Sequence, residues 1–139
     1  MVGFSLGGSL AAFFALASTN AMAAPTYTAS DFSKVRKFDS HVHANVGDDI
    51  FLMSAKKSGF EILSINVDYP DFPDLKTQAD IAHKMKRAAP KRFHYTTTFS
   101  MKGFEAAGWA NAVTKSLDTE HKKGAIGVKV WKNIGMVKF

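Results

Sequence analysis

The chain has no cysteine. That excludes a disulfide scaffold and any zinc site built on thiolates. Charge is absent from one end: the first charged side chain is Asp31, so all 18 basic and 12 acidic residues fall in 31–139 and carry the whole net charge of +6. No long hydrophobic run is present either. The N-terminal apolar stretch runs only from Leu10 to Leu16 or Ala17, far short of the roughly 20 residues that cross a bilayer as a helix. With 46% hydrophobic and 22% charged residues the composition is globular, which excludes disorder and collagen-like repeats. The basic excess is moderate and is no nucleic-acid signature by itself.

The uncharged N-terminus reads as an export address. Ala21-Met22-Ala23 is an A-x-A cleavage site with Ala24-Pro25 behind it, and a short apolar core precedes it, the layout of a secretory signal peptide. On this reading 1–23 is the signal, 24–33 is a linker, and the mature protein is periplasmic or secreted. One feature is missing, since no Lys or Arg precedes the apolar core; an uncleaved anchor or a non-signal helix is the other reading. Gly3-Phe4-Ser5-Leu6-Gly7 matches the G-x-S-x-G nucleophile elbow. That motif needs a buried strand before it, and only two residues precede Gly3.

From Lys34 onward strand and helix patterns alternate. Val35 to His41 predicts a strand. Asp48-Asp49 can cap a helix running through Lys57, which Gly59 stops. Ile62 to Val67 is a β-branched strand, and Pro70-Asp71-Phe72-Pro73 is a loop. Leu75, Gln78, Ile81, Ala82, Met85 and Ala89 recur at helical spacing before Pro90. Phe93 to Phe99 predicts a third strand. Ala106 to Lys122 predicts a third helix with Ala106, Ala110, Val113 and Leu117 on one stripe, ended by Gly124. Ala125 to Trp131 predicts a fourth strand. The strand starts near 34, 61, 92 and 125 repeat with a helix in each gap, which means parallel strands joined by crossovers.

Four such units make half of a (β/α)8 barrel or part of a doubly wound sheet. Within the second strand Ser64, Asn66 and Asp68 share one face and Leu63, Ile65 and Val67 the other. In the third, Thr96, Thr98 and Ser100 oppose Tyr95, Thr97 and Phe99. Strands covered by helices on both faces read as continuous apolar runs, whereas here one face turns polar toward the C-terminal end. In a barrel that end of the interior is the mouth of the active site. The expected fold is therefore α/β, a partial TIM barrel of about four βα units. Such barrels typically need about 250 residues, against 139 in the chain, so the length reads as a truncation.

The sharpest motif is Asp39-Ser40-His41-Val42-His43 at the end of the first strand. A strand period of two puts Asp39, His41 and His43 on one side. Two imidazoles there can converge on a divalent cation, and Asp39 can orient one through its other ring N–H. The plain alternative is a pair of polar residues where a strand meets a loop. A second signal is Lys129, inside the apolar Ala125–Val130 segment. A buried lysine is costly unless its charge is removed or paired, and as a free amine it can take up carbon dioxide to give a carbamate that bridges two metals. Its stem could equally pack while its head reaches solvent, and Lys132 competes for the role. Asn66 and Asp68 end the second strand and can touch substrate. Trp131 is a substrate wall or core. His83 and His121 fall on helices beside lysines, where a solvated face is the default, and His94 falls at the wrong end of its strand for barrel chemistry.

Phe38-Asp39-Ser40-His41-Val42-His43-Ala44 resembles the first-strand metal motif of the amidohydrolase superfamily, in its amidohydrolase-related (family 2) branch. Gly124-Ala125-Ile126-Gly127-Val128-Lys129-Val130-Trp131-Lys132-Asn133-Ile134-Gly135 resembles that family's fourth-strand segment, and is similar to the Gly-x-Lys-Ile-His pattern of urease, whose lysine is carbamylated. The resemblance covers roughly 34–139. It implies a metal-dependent hydrolase on a distorted TIM barrel, in which metal-activated water attacks a carbonyl or similar carbon of a small molecule. Zinc, one ion or two, is the usual cofactor in the family. The metal ligands carried over are His41, His43 and Lys129, with Asn66, Asp68, Trp131 and Lys132 toward substrate. Further histidines after strands five and six and an aspartate after strand eight lie beyond Phe139 in the family's pattern. Some relatives are single-metal decarboxylases, so lyase chemistry is the alternative, and an inactive fragment serving as a binding module is the third reading. The expected partner is a small-molecule substrate, with no nucleic acid and no membrane contact beyond export.

Overall fold

A computed structural model describes residues 27–130. The expected signal peptide, the G-x-S-x-G match, Trp131 and Lys132 lie outside those residues. Within the expected linker, Ala29–Asp31 forms a short 3-10 turn. The elements then follow in the order β1 (Lys37–Val42), α1 (Asp49–Lys57), β2 (Phe60–Ile65), α2 (Leu75–Ala88), β3 (Phe93–Thr97), α3 (Trp109–Lys122) and β4 (Gly127–Val128).

Local chemistry sets the helix boundaries. Asp48 caps α1 by accepting from the Phe51 backbone N–H, and Asp74 caps α2 by accepting from that of Thr77, which satisfies N–H groups that have no partner inside the helix. The Thr77 backbone N–H first, and its hydroxyl second, hold the Asp74 carboxyl below its ordinary pKa. After α1 the chain turns at Gly59 with φ +72°, a left-handed conformation that costs glycine nothing. The expected third helix begins three residues late, after Gly108 at φ +90°. The turn hydrogen bonds Phe104 N–H to Met101 and Ala106 N–H to Gly103 take up the intervening chain.

The four strands form one sheet in sequence order, every neighbouring pair parallel. All three helices lie on one face of it. Ile62, Phe93 and Tyr95 from the strands form a core with Ala55 of α1 and Ala82 and Met85 of α2, and Tyr95 also donates to Glu120 of α3. This one-sided arrangement follows from the order: parallel neighbours joined in sequence by right-handed crossovers put every helix on the same side. Full burial of Ile62, Met85 and Phe93 contributes about 2 kcal/mol each. The opposite face carries Phe38, Leu63, Ile65, His94 and Thr96, none of them fully buried.

The register corrects the expected faces of β2. Ile62 pairs with Phe93 and Ser64 with Tyr95, so Ser64 points under the helices and Leu63 and Ile65 toward the open side. Ser64 tolerates the buried position because it is small and its Oγ accepts the Ala44 backbone N–H at 3.1 Å. In β3 Thr96 is on the open side as expected, since it pairs with Ile65 and Gly127, whereas Thr98 and Ser100, beyond the strand, line the cleft between α2 and α3. The expected stripe on α3 is also corrected. Ala106 precedes the helix, Ala110 is exposed, Val113 and Leu117 are half-buried, and the buried residue of α3 is Glu120.

Candidate functional site

The C-terminal end of β1 gathers the aromatic and imidazole groups. Asp39 pairs with Ile62, but Val42 pairs with Ser64, so β1 carries one extra residue between them. A bulge of this kind bends the strand and re-aims its side chains. Val42 thereby turns to the helix side and packs against the core. His41 and His43 flank it and turn together to the open side, their rings 5.2 Å apart and edge to face.

The expectation that Asp39 shares a side with the two histidines and orients one of them is overturned by that extra residue. Asp39 lies level with the core residue Ile62, and its Oδ1 accepts the His41 backbone N–H at 3.1 Å. The group that orients His43 is the main-chain carbonyl of Ile65, 2.7 Å from Nδ1. A carbonyl only accepts, so Nδ1 carries the proton and Nε2 of the neutral ring keeps a free lone pair. The Phe72 ring packs on His43 at 4.8 Å and Tyr69 on Phe72 at 6.2 Å.

The loop after β2 supplies that aromatic cover, and Gln78 of α2 fastens it. Its Oε1 accepts the Val67 N–H and its Nε2 donates to the Val67 carbonyl, each at 2.9 Å, and Nε2 donates again to Pro73. Asn66 is buried next to this clamp, and Asp68 is half-buried in the loop. Lys129 follows β4, half-buried. Its N–H donates to Thr97 at 2.7 Å, and its carbonyl accepts from Thr98 at 2.7 Å. By strand alternation it shares the open side with Gly127. It stands three strands from the histidine pair, about 14 Å at the usual spacing. Of the residues singled out in the sequence, then, His41 and His43 are brought together, Asn66 is buried and Asp68 half-buried in the chain after β2, and Lys129 stands apart. Among the described residues no three His, Cys, Asp or Glu side chains come close enough to hold a metal ion.

A second polar cluster lies on the helix side. His83 is buried, not solvated as its lysine-rich helix suggested. Its Nε2 lies 2.7 Å from Glu120 Oε2, and the Tyr95 hydroxyl donates to the same carboxylate at 3.3 Å. Burial, and then the negative charge of Glu120, push the Tyr95 hydroxyl well above the ordinary phenol pKa. The cluster floors a cleft of about 520 Å³ between α2, α3 and the end of β3, walled by Trp109 and Thr98. Gln78, a polar position inside the apolar stripe of α2, was the sequence signal for the clamp; nothing local marked Glu120 or His83 for this cluster.

No protein-family model, curated protein or solved structure matches the chain.

Proposed function

We propose that the sheet is part of the wall of a (β/α)8 barrel and that the protein is a metal-dependent hydrolase acting on a small molecule, exported by an N-terminal signal peptide. The observation that carries the reading is the hydrogen bond from His43 Nδ1–H to the Ile65 carbonyl. Metal-bound histidines ordinarily donate their other ring N–H to a carbonyl or carboxylate, which fixes the tautomer and the ring. Here that arrangement sits beside a second imidazole at the C-terminal end of a parallel strand, where barrel enzymes carry their chemistry. The one-sided placement of the helices supports the barrel, since a closed barrel needs its open face inside.

The donors fit a divalent cation as two of the three or four protein ligands such an ion takes. His41 and His43 would hold it, and a carbamylated Lys129 would reach it only across an inward-curving sheet. A bound cation would supply Lewis acidity toward water and toward a substrate carbonyl. The protein's own part is to orient: Ile65 fixes His43, Gln78 fixes the loop, and Phe72 screens the imidazole from solvent. Asn66 and Asp68 would contribute to the substrate rim from the chain that follows β2.

Metal content of the isolated protein, with zinc titration followed calorimetrically, tests the reading. Stoichiometric zinc, iron or manganese is expected, with affinity lowered at least about 100-fold in His41→Ala/His43→Ala, beyond the 10–100-fold typical of losing a supporting partner. A metal-free protein whose zinc affinity is unchanged by the double substitution would overturn it.

A further inference from the structure

We propose that the N-terminal edge of the sheet is a docking surface for a membrane containing anionic phospholipid. The edge is built from the starts of the strands and the ends of the helices. Cations stabilise helix C-termini, where the dipole is negative, and the last turns here carry Lys56 and Lys57 in α1 and Lys86 and Arg87 in α2. Crossover helices run antiparallel to their strands, so these turns fall at one edge of the molecule. The caps Asp48 and Asp74 fall at the other edge, with the histidine pair. The fold thus separates charge along the strand direction.

At the basic edge a concave surface of about 400 Å³ is lined by Lys34, Arg36, Lys91, Arg92 and a single carboxylate, Glu61. That carboxylate is already taken: Arg36 binds both of its oxygens, at 2.5 and 2.7 Å, and this bond, ahead of every other influence, holds Glu61 below its ordinary pKa. The nearby Asp31 pairs with Lys34 at 3.3 Å. The balance left over is positive. Apolar side chains stand next to it in the open, with Phe32 49% and Val35 42% exposed. Lys37 joins the two kinds of group, its ammonium 4.2 Å from the Phe32 ring centre. Cations interleaved with exposed aromatic and aliphatic groups fit a headgroup layer, which offers phosphate to the first and the acyl boundary to the second. Free phosphate or a nucleic-acid duplex would use the cations and leave Phe32 and Val35 in water. The chain also enters the fold at this edge. No helix among the described residues is long and apolar enough to cross a membrane, so the contact is peripheral. It would hold the histidine pair on the side away from the lipid.

Co-sedimentation of the whole protein with phosphatidylcholine vesicles, with and without phosphatidylglycerol, tests this. Binding is expected only with phosphatidylglycerol, weakening as salt is raised. Lys34→Glu/Lys91→Glu is expected to lower partitioning by roughly 30-fold, from about 1 kcal/mol per cation at the surface and tenfold per 1.4 kcal/mol. Both side chains are exposed, and unchanged circular dichroism would show that the variant folds. Lys102→Glu/Lys115→Glu makes the same change in net charge elsewhere and is expected to bind like the wild type. Equal loss in both variants, no loss in either, equal binding to uncharged vesicles, or binding to duplex DNA without binding to vesicles would each overturn the proposal.

Discussion

Glu120 shows how much one side chain can hold. It is the buried residue of α3, and it accepts from the Tyr95 hydroxyl while pairing with His83. Removing the carboxylate leaves buried His83 without its partner, while the Tyr95 hydroxyl keeps the Glu120 main-chain carbonyl at 3.2 Å; breaking a buried pair typically costs about 3–5 kcal/mol. Glu120→Ala is therefore expected to cost about 3 kcal/mol, or a fall in Tm of at least about 10 °C for a domain of this size. A thermal melt checks it, and a change under about 2 °C would mean that water replaces the carboxylate freely. The sequence did not reveal this role. Glu120 stands in a run of charged and polar residues, Asp118 to Lys123, that looks solvated, and His83 has lysines on its own helix. Their partnership spans 37 positions, and no local pattern encodes a contact at that separation. The two histidines of β1 were legible because their spacing and their position at a strand end are both local facts.

At the scale of elements, helix boundaries were legible where capping residues mark them: Asp48 and Gly59 around α1, Pro90 after α2, Gly124 after α3. Faces were less so. Alternation gave the correct side for Thr96 in β3 but reversed those in β2, because a polar residue as small as Ser64 can lie under a helix once a neighbouring N–H satisfies it. The extra residue in β1 was invisible, since register belongs to a pair of strands and not to one. The loop after β2 was legible as a loop from its prolines, yet what fixes it is Gln78, which occupied an apolar position in the helical stripe. That position argues for a prediction. Gln78→Ala leaves the Val67 N–H and carbonyl without their side-chain partner, and each buried orphan costs about 1–3 kcal/mol. A loss of about 2 kcal/mol is expected by chemical denaturation, together with faster hydrogen exchange at the Val67 amide. Unchanged exchange at Val67 would show that the loop is held by the Phe72 and Tyr69 packing instead.

Across the whole molecule, the parallel pairing was legible from the spacing of strand starts, which left the strand order open between barrel and doubly wound sheet; the observed order is sequential, and the one-sided cover of the sheet follows from it through the handedness of crossovers. The strength with which each helix is held was not legible, because α2 and α3 have the same length of 14 residues and comparable amphipathic patterns. Their attachment differs. Helix α2 buries Gln78, Ala82, His83 and Met85, and two of these belong to the apolar core. Helix α3 contributes no residue to that core and is fixed at its ends. Trp109 packs edge-on to Phe99 and Phe104 and donates to the Ser100 carbonyl, and Glu120 supplies the other anchor. Segments with few buried apolar contacts open at lower free energy than the global transition. Native-state hydrogen exchange in low denaturant should therefore show α3 amides exchanging ahead of those of α2 and β3, as a separate cooperative unit. In Glu120→Ala the protection of α3 should fall further while that of α2 falls only with global stability. A single exchange isotherm shared by both helices would instead mean that α3 is integral to the core, and that the cleft between α2 and α3 is a rigid feature and not a seam along which the helix lifts.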